Sequence, residues 1–364
     1  MASSLYIHIP FCSSICGYCD FTRLLFRDEW AFSYIEALLK EWKSKYGNKK
    51  FKTIYLGGGT PNCLPLPLLE KLLSICRKHL RKGYEFTIEC NPEHIRLEQA
   101  KMFARYGVNR VSLGMQTIHQ RHLETMGRKH DYAQVKKAVA LLQNAGIDNI
   151  SIDLMVALPN ETKTELEEDI DALIDLGTPH VSVYTYIDES GSSWHKKGIV
   201  EASEDEQADA LLLVRKQLKK AGFERYEVSS YAKKGYQSKH NLAYWKDEEY
   251  AALGLGASGY ENGNHYTNTK SLPRYLEGHY IEENEKESEN DKLVYYLLTN
   301  MRLKQGISFK DFQKRFGYSF TVQFENAIDN LVSRKLVKIT KRRMKMTDKG
   351  LDLLDAAIVD LMLD

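Results

Sequence analysis

Three cysteines, Cys12, Cys16 and Cys19, fall within eight residues of one another in the run Pro10-Phe11-Cys12-Ser13-Ser14-Ile15-Cys16-Gly17-Tyr18-Cys19. Thiolates at this spacing on a short loop can wrap a single metal centre, and iron–sulfur clusters take cysteine thiolates as ligands. A cubane [4Fe-4S] cluster held by three cysteines leaves one iron without a protein ligand, and an open metal position is where a substrate or cofactor binds. The competing reading is a zinc site completed by His8, Cys63, Cys76 or Cys90, although zinc ligands usually arrive as two separated short pairs. Disulfides explain the pattern poorly, because all six cysteines lie in the first quarter of a 364-residue chain and would leave the remainder unstapled. The metal ligands are therefore expected to be Cys12, Cys16 and Cys19.

Further residues stand where ligands are commonly held. Gly57-Gly58-Gly59-Thr60-Pro61 follows an apolar run, and missing Cβ atoms let a backbone approach a ligand closely. It has neither the GxGxxG spacing nor a P-loop lysine, so phosphate cradling is not expected, and taken alone it reads as a turn. Glu89 and Gln116 close two further runs, Asp153 lies within a third, and Arg128 follows in Met126-Gly127-Arg128-Lys129-His130. Polar groups at the carboxyl ends of barrel strands are the usual ligand positions, but each could equally be a structural hydrogen-bonding residue. In His240-Asn241-Leu242-Ala243-Tyr244-Trp245 an imidazole that can coordinate haem iron stands beside rings that offer flat apolar area. By composition alone the motif reads as a hydrogen-bonded loop anchor with Tyr244 and Trp245 in the core, and His240 becomes the candidate haem ligand with the resemblance described below.

The elements that must position these groups follow from periodicity. Short β-branched and aromatic runs at 5–10, 52–56, 85–90, 110–114, 150–156 and 180–186 alternate with apolar three- and four-residue spacing at 30–46, 66–80, 97–106, 132–144 and 164–176. Gly107, Gly146 and Gly177 stand where C-caps belong. A seventh unit, with a helical stretch at 205–221, leads into an extended run at 227–231, so the βα units on a parallel sheet reach to about residue 235. We divide the chain into a barrel at 1–235, a loop-rich segment at 236–281 reading as irregular structure over a site, and a helical, winged-helix-like domain at 282–364. Lys338, Lys341, Arg342, Arg343 and Lys345 make its wing basic, which reads as a solvated hairpin rather than a DNA contact.

Composition narrows the function classes. Fifty-one Lys and Arg against 49 Asp and Glu give +2, so no global field attracts a polyanion, and no DNA partner is expected. The amino-terminal residues have neither a basic region nor an exportable apolar stretch, and no 18-residue apolar run occurs, so a cytoplasmic protein is expected.

The run Tyr6-Ile7-His8-Ile9-Pro10-Phe11-Cys12 through Cys19-Asp20-Phe21 resembles the radical S-adenosylmethionine (SAM) superfamily, in the branch containing oxygen-independent coproporphyrinogen III oxidase and the HemW-type haem chaperones. The resemblance implies an α/β fold built on a partial (β/α)6 barrel, a [4Fe-4S] cluster, and SAM chelating the fourth iron. Similarity to the superfamily's patterns implies SAM contacts from Tyr6, Gly58, Gly59, Thr60, Glu89, Gln116, Arg128 and Asp153. Three positions favour the chaperone side: Phe21 where the oxidases carry another cysteine, a short stretch before Cys12, and the His240–Trp245 motif. Two depart from the family: Gly256-Ala257-Ser258-Gly259-Tyr260 lacks a histidine, and Leu158-Pro159-Asn160-Glu161-Thr162 has asparagine for glycine. The implied function is a haem chaperone that binds haem, cluster and SAM and hands haem to apo-haemoproteins, with radical SAM decarboxylation of coproporphyrinogen III as the alternative. A homodimer stays open.

Overall fold

The computed structural model describes residues 2–362. Its centre is a run of six parallel strands adjacent in chain order: β1 (Ser4–Ile9), β2 (Phe51–Gly58), β3 (Leu80–Cys90), β4 (Arg110–Gln116), β5 (Ile150–Val156) and β6 (His180–Thr185). Apolar side chains of β1, β4 and β5 are buried on nearly every residue, the pattern of parallel strands covered on both faces. The crossovers are α1 (Asp28–Tyr46), α2 (Leu66–Lys78), α3 (Leu97–Arg105), α4 (Gln120–Met126), α5 (Tyr132–Asn144) and α6 (Lys163–Asp175), with α7 (Glu204–Lys220) after β6. Capping boxes at Asp131/Gln134, Thr162/Glu165 and Ser203/Glu206 start α5, α6 and α7 by satisfying otherwise orphaned backbone N–H groups. These are the six βα units expected from the periodicity, arranged as the partial (β/α)6 barrel that the resemblance implies.

The sheet does not close. Past β6 it continues into an antiparallel hairpin, β7 (Glu224–Arg225) and β8 (Ser230–Ala232), and past β1 into β9 (Tyr250–Leu253), β10 (Ser258–Glu261), β11 (Asn264–Asn268) and β12 (Ile281–Lys286). The segment at 236–281, expected to be irregular, is instead ordered sheet preceded by α8 (Lys239–Trp245); β9 runs parallel to β1 with Tyr6 opposite Ala252. Two features hold it there. Glu41 of α1, fully buried, accepts from the Gly254 N–H (3.0 Å), Asn268 Nδ2 (2.7 Å) and the Tyr275 hydroxyl (2.6 Å). Tyr34 donates to the His8 carbonyl and accepts from the Leu255 N–H. The pairing partners lie far away in sequence, and turn residues such as Gly254, Gly256 and Gly263 interrupt the alternation, so the local pattern hides these strands.

The carboxy-terminal residues have their own buried cluster from Tyr296 to Leu361. It packs α9 (Glu289–Asn300), α10 (Phe309–Phe316) and the shorter helices after it against a three-stranded sheet, β13 (Ile307–Ser308), β14 (Val337–Ile339) and β15 (Arg343–Met346). The β14–β15 hairpin is the basic wing. Arg225 ties this unit to the barrel through Asp352 at 2.6 Å. No helix among the described residues is long and apolar enough to cross a membrane.

Candidate functional site

The three cysteines follow β1 directly. Phe11–Cys12 forms a two-residue parallel pair with Leu24–Leu25, so the chain leaves and returns to one place and the intervening loop is held at its base. Further along, the Gly17 N–H donates to the Met126 carbonyl and the Trp194 N–H to the Gly17 carbonyl, pinning the loop between the end of α4 and the segment after β6. A side chain at Gly17 would collide with the Trp194 indole, so that residue must be glycine. All six cysteines are free thiols. Arg128 sets a guanidinium nitrogen 3.8 Å from Cys16 Sγ, a charge placed to offset clustered thiolates. Burial pushes the Cys12 thiol up to about 11, and a cation beside it is what would hold it as thiolate.

The donor set fits a cluster better than zinc. Among the described residues no three His, Cys, Asp or Glu side chains converge on a point where one metal ion could sit. His8 cannot complete a zinc site, because its Nδ1 lies 2.9 Å from the Tyr6 hydroxyl and its Nε2 2.7 Å from the Thr22 carbonyl. Cys63 is turned to the Phe11 carbonyl, while Cys76 and Cys90 are buried in the apolar core. Gly59 shows how close the neighbouring strand comes: an added Cβ would stand 2.7 Å from the Phe11 carbonyl and 2.9 Å from Cys12 Sγ. The residues present therefore suit a cluster whose separate irons are bound by Cys12, Cys16 and Cys19.

Of the remaining expected contacts, Gly58, Glu89 and Gln116 stand at or next to the carboxyl ends of β2, β3 and β4, Gly59 and Thr60 just beyond β2, Tyr6 and Asp153 within β1 and β5, and Arg128 in the loop after α4. Gly58 has φ +116 and its N–H donates to Glu89 Oε2 at 2.9 Å, while Tyr55 donates to Glu89 Oε1 at 2.7 Å. Glu89 thus fastens the glycine turn, and burial raises its carboxyl to about 7. The Thr60 N–H donates to the Phe11 carbonyl, joining the turn to the cysteine strand. Asp153 accepts from the Ser112 hydroxyl at 3.0 Å and is raised by burial to about 6. Gln116 takes φ +66 where β4 slips register against β5 between Gly114 and Gln116. Arg128 follows α4, which ends on Gly127 in the left-handed region, and its guanidinium donates to the Gly114 carbonyl (2.7 Å) and Asn91 Oδ1 (3.0 Å). Tyr55 and Trp194 escaped the sequence reading, since each is recognisable only through its partner, and Asn91 and Ser112, which lie in the same motifs as Glu89 and Gln116, carry no role in it. Asn160, the departure from glycine, has φ +61, a conformation asparagine tolerates better than most residues.

His240 does not stand open to a ligand. It is 1% exposed, its Nδ1 lies 2.8 Å from Thr53 Oγ1 and its Nε2 2.7 Å from the Tyr244 hydroxyl. Its backbone N–H donates to Glu85, and burial lowers the ring to about 3. In this structure His240 anchors α8 against β2 and β3 with both ring nitrogens engaged, as the plainer alternative has it, whereas Tyr244 and Trp245 are half-buried at the cleft rather than core.

A cleft of about 1270 Å³ opens between the cysteine loop and the β9–β12 extension. Tyr6, Phe21 and Thr22 line one side, and Trp245, Tyr250, Tyr260, His265 and Tyr295 the other. Phe21 is 66% exposed, an unusual setting for a phenylalanine beside a polar loop.

Residues 6–173 match the Radical SAM superfamily and residues 288–353 the HemN C-terminal domain. The chain is 37% identical over 371 residues to the heme chaperone HemW of Lactococcus lactis subsp. lactis (strain IL1403), covering 100% of this chain and 98% of that one. It is 32% identical over 362 residues to the heme chaperone HemW of Bacillus subtilis (strain 168), covering 95% and 96%. Among solved structures it superposes on coproporphyrinogen III oxidase (HemN) from Escherichia coli, a radical SAM enzyme, with TM-score 0.85 at 19% identity over 98% of this chain and 89% of that one, a likeness of fold. With the barrel, the cysteine loop and full-length similarity in agreement, the chain belongs to the HemW-type heme chaperone family of the radical SAM superfamily.

Proposed function

We propose that this protein binds a [4Fe-4S] cluster, SAM and haem, and passes the haem to apo-haemoproteins in the cytoplasm. The observation that carries the reading is the cleft: it runs from the cysteine loop at Phe21 to an aromatic wall, and it has the volume and flat apolar surface a porphyrin requires. The family names of the full-length relatives support haem as the cargo. Cys12, Cys16 and Cys19 hold the cluster; Gly58, Gly59 and Thr60 offer backbone to SAM, Glu89 and Arg128 fix the turn and the loop around it, and Tyr6, Gln116 and Asp153 complete the pocket rim. A cluster with SAM on its fourth iron supplies one-electron chemistry when bound. The chain's own residues brace the loop: Trp194 and Tyr18 pack edge to face under it with ring centroids 5.9 Å apart.

The test is anaerobic reconstitution, haem titration by visible absorption, and transfer to apomyoglobin. The expected result is cluster absorbance that disappears in a Cys12/Cys16/Cys19→Ala variant, and a separate, saturable haem spectrum that moves to the acceptor. A cluster without haem binding overturns the reading.

A further inference from the structure

His265 lies on β11 in the cleft wall, outside the motifs singled out in the sequence and directly across the sheet from Tyr260. Its Nε2 is 2.7 Å from Glu287 Oε1, and the Glu287 carboxylate also accepts from the Tyr260 hydroxyl at 2.7 Å. The carboxylate is 1% exposed and the imidazole 30%. The ring is stacked on Tyr260 (centroids 4.4 Å, 15°) and leans on Tyr295 of α9 (4.6 Å, 34°), so both faces are held and only an edge is free. Nδ1 has no hydrogen-bond partner among the described residues, whereas both nitrogens of His240 and of His8 are engaged. A carboxylate that fixes one nitrogen of a cavity-lining imidazole and leaves the other without a partner is the arrangement of metal-ligating histidines.

We infer that His265, oriented by Glu287, would ligate haem iron in this cleft, an inference that rests on the haem-binding reading above. Nε2 keeps its proton, donated to the Glu287 carboxylate, and the Nδ1 lone pair forms the bond to iron; no proton or electron is exchanged. Tyr250 and Trp245 on the same wall offer ring surface to the porphyrin, Phe21 offers it from the cysteine loop, and the exposed Lys270 at the rim is a cation for a propionate. His240 is left as the anchor that holds α8, and through it this wall, against the barrel.

The experiment titrates haem into the reconstituted full-length protein, comparing wild type, His265→Ala, His265→Gln and Glu287→Gln, with visible absorption for affinity and resonance Raman for the iron–imidazole stretch. The glutamine at 265 can keep the hydrogen bond to Glu287 and cannot offer an imidazole nitrogen, so it separates ligation from folding; cluster absorbance reports that each variant is intact. Expected is loss of the iron–imidazole band in both His265 variants, its return with free imidazole in His265→Ala, and in Glu287→Gln a shifted band with affinity down roughly tenfold. A wild-type band and affinity in both His265 variants overturns the assignment of His265 while leaving haem binding intact. Absence of haem binding by the wild type overturns the haem reading itself.

Discussion

Replacing His240 by alanine separates an anchoring role from a ligating one. The substitution removes an imidazole whose two nitrogens meet Thr53 Oγ1 at 2.8 Å and the Tyr244 hydroxyl at 2.7 Å inside the fold. Each orphaned buried hydroxyl costs about 1–3 kcal/mol, and water entering the vacated space recovers part of that. The net destabilisation is ~2–5 kcal/mol, which for a chain of this size lowers the melting temperature by roughly 3–7 °C. Because burial keeps the ring neutral down to about 3 while an unfolded imidazole protonates near 6.5, the wild type loses stability as pH falls below about 6.5 and the variant does not, so the difference between them should be constant above about pH 7 and shrink toward pH 5. Thermal melts followed by circular dichroism at several pH values measure it, with haem titration on the same samples well below the melt. A melting temperature unchanged from wild type, together with a lost haem spectrum, would refute the anchor and restore His240 as a ligand.

Other outcomes follow from the same geometry. Gly59→Ala places a methyl 2.7 Å from the Phe11 carbonyl and 2.9 Å from Cys12 Sγ, so cluster yield on reconstitution should fall sharply while far-ultraviolet circular dichroism stays native. Glu89 is raised by burial from 4.5 to about 7 in the fold, so the folded state binds the proton more tightly than the unfolded one; stability should decline as pH rises between those values and level off above, and Glu89→Gln should flatten that slope in urea titrations of the metal-free protein. Phe21→Ala removes an exposed ring from the cleft, so it should leave the melting temperature alone and weaken haem binding by roughly 2–10-fold in a fluorescence-quenching titration.

Much of this protein was written locally in the chain. Cysteine spacing and alternation of β runs with helical stretches are short-range properties, so the cluster loop and the six parallel strands could be read before any pairing was known. Segment 236–281 could not: β9 is a strand because β1 offers an edge, and Glu41, buried on α1, collects the Gly254, Asn268 and Tyr275 donors that fix it. Local alternation broken by turn residues gives no sign of that partner. The two histidines make the same point. His240 stands in a conspicuous motif, yet its environment is set by Thr53, whose hydroxyl comes from a strand remote in sequence, and that contact closes one nitrogen. His265 sits in no motif and becomes noticeable only when antiparallel pairing of β11 and β12 brings Glu287 near its ring and α9 brings Tyr295 over it. Residue type and spacing determined which chemistry the chain can host; which nitrogen remains open to a ligand depends on hydrogen bonds between distant strands, and only the tertiary structure decides those.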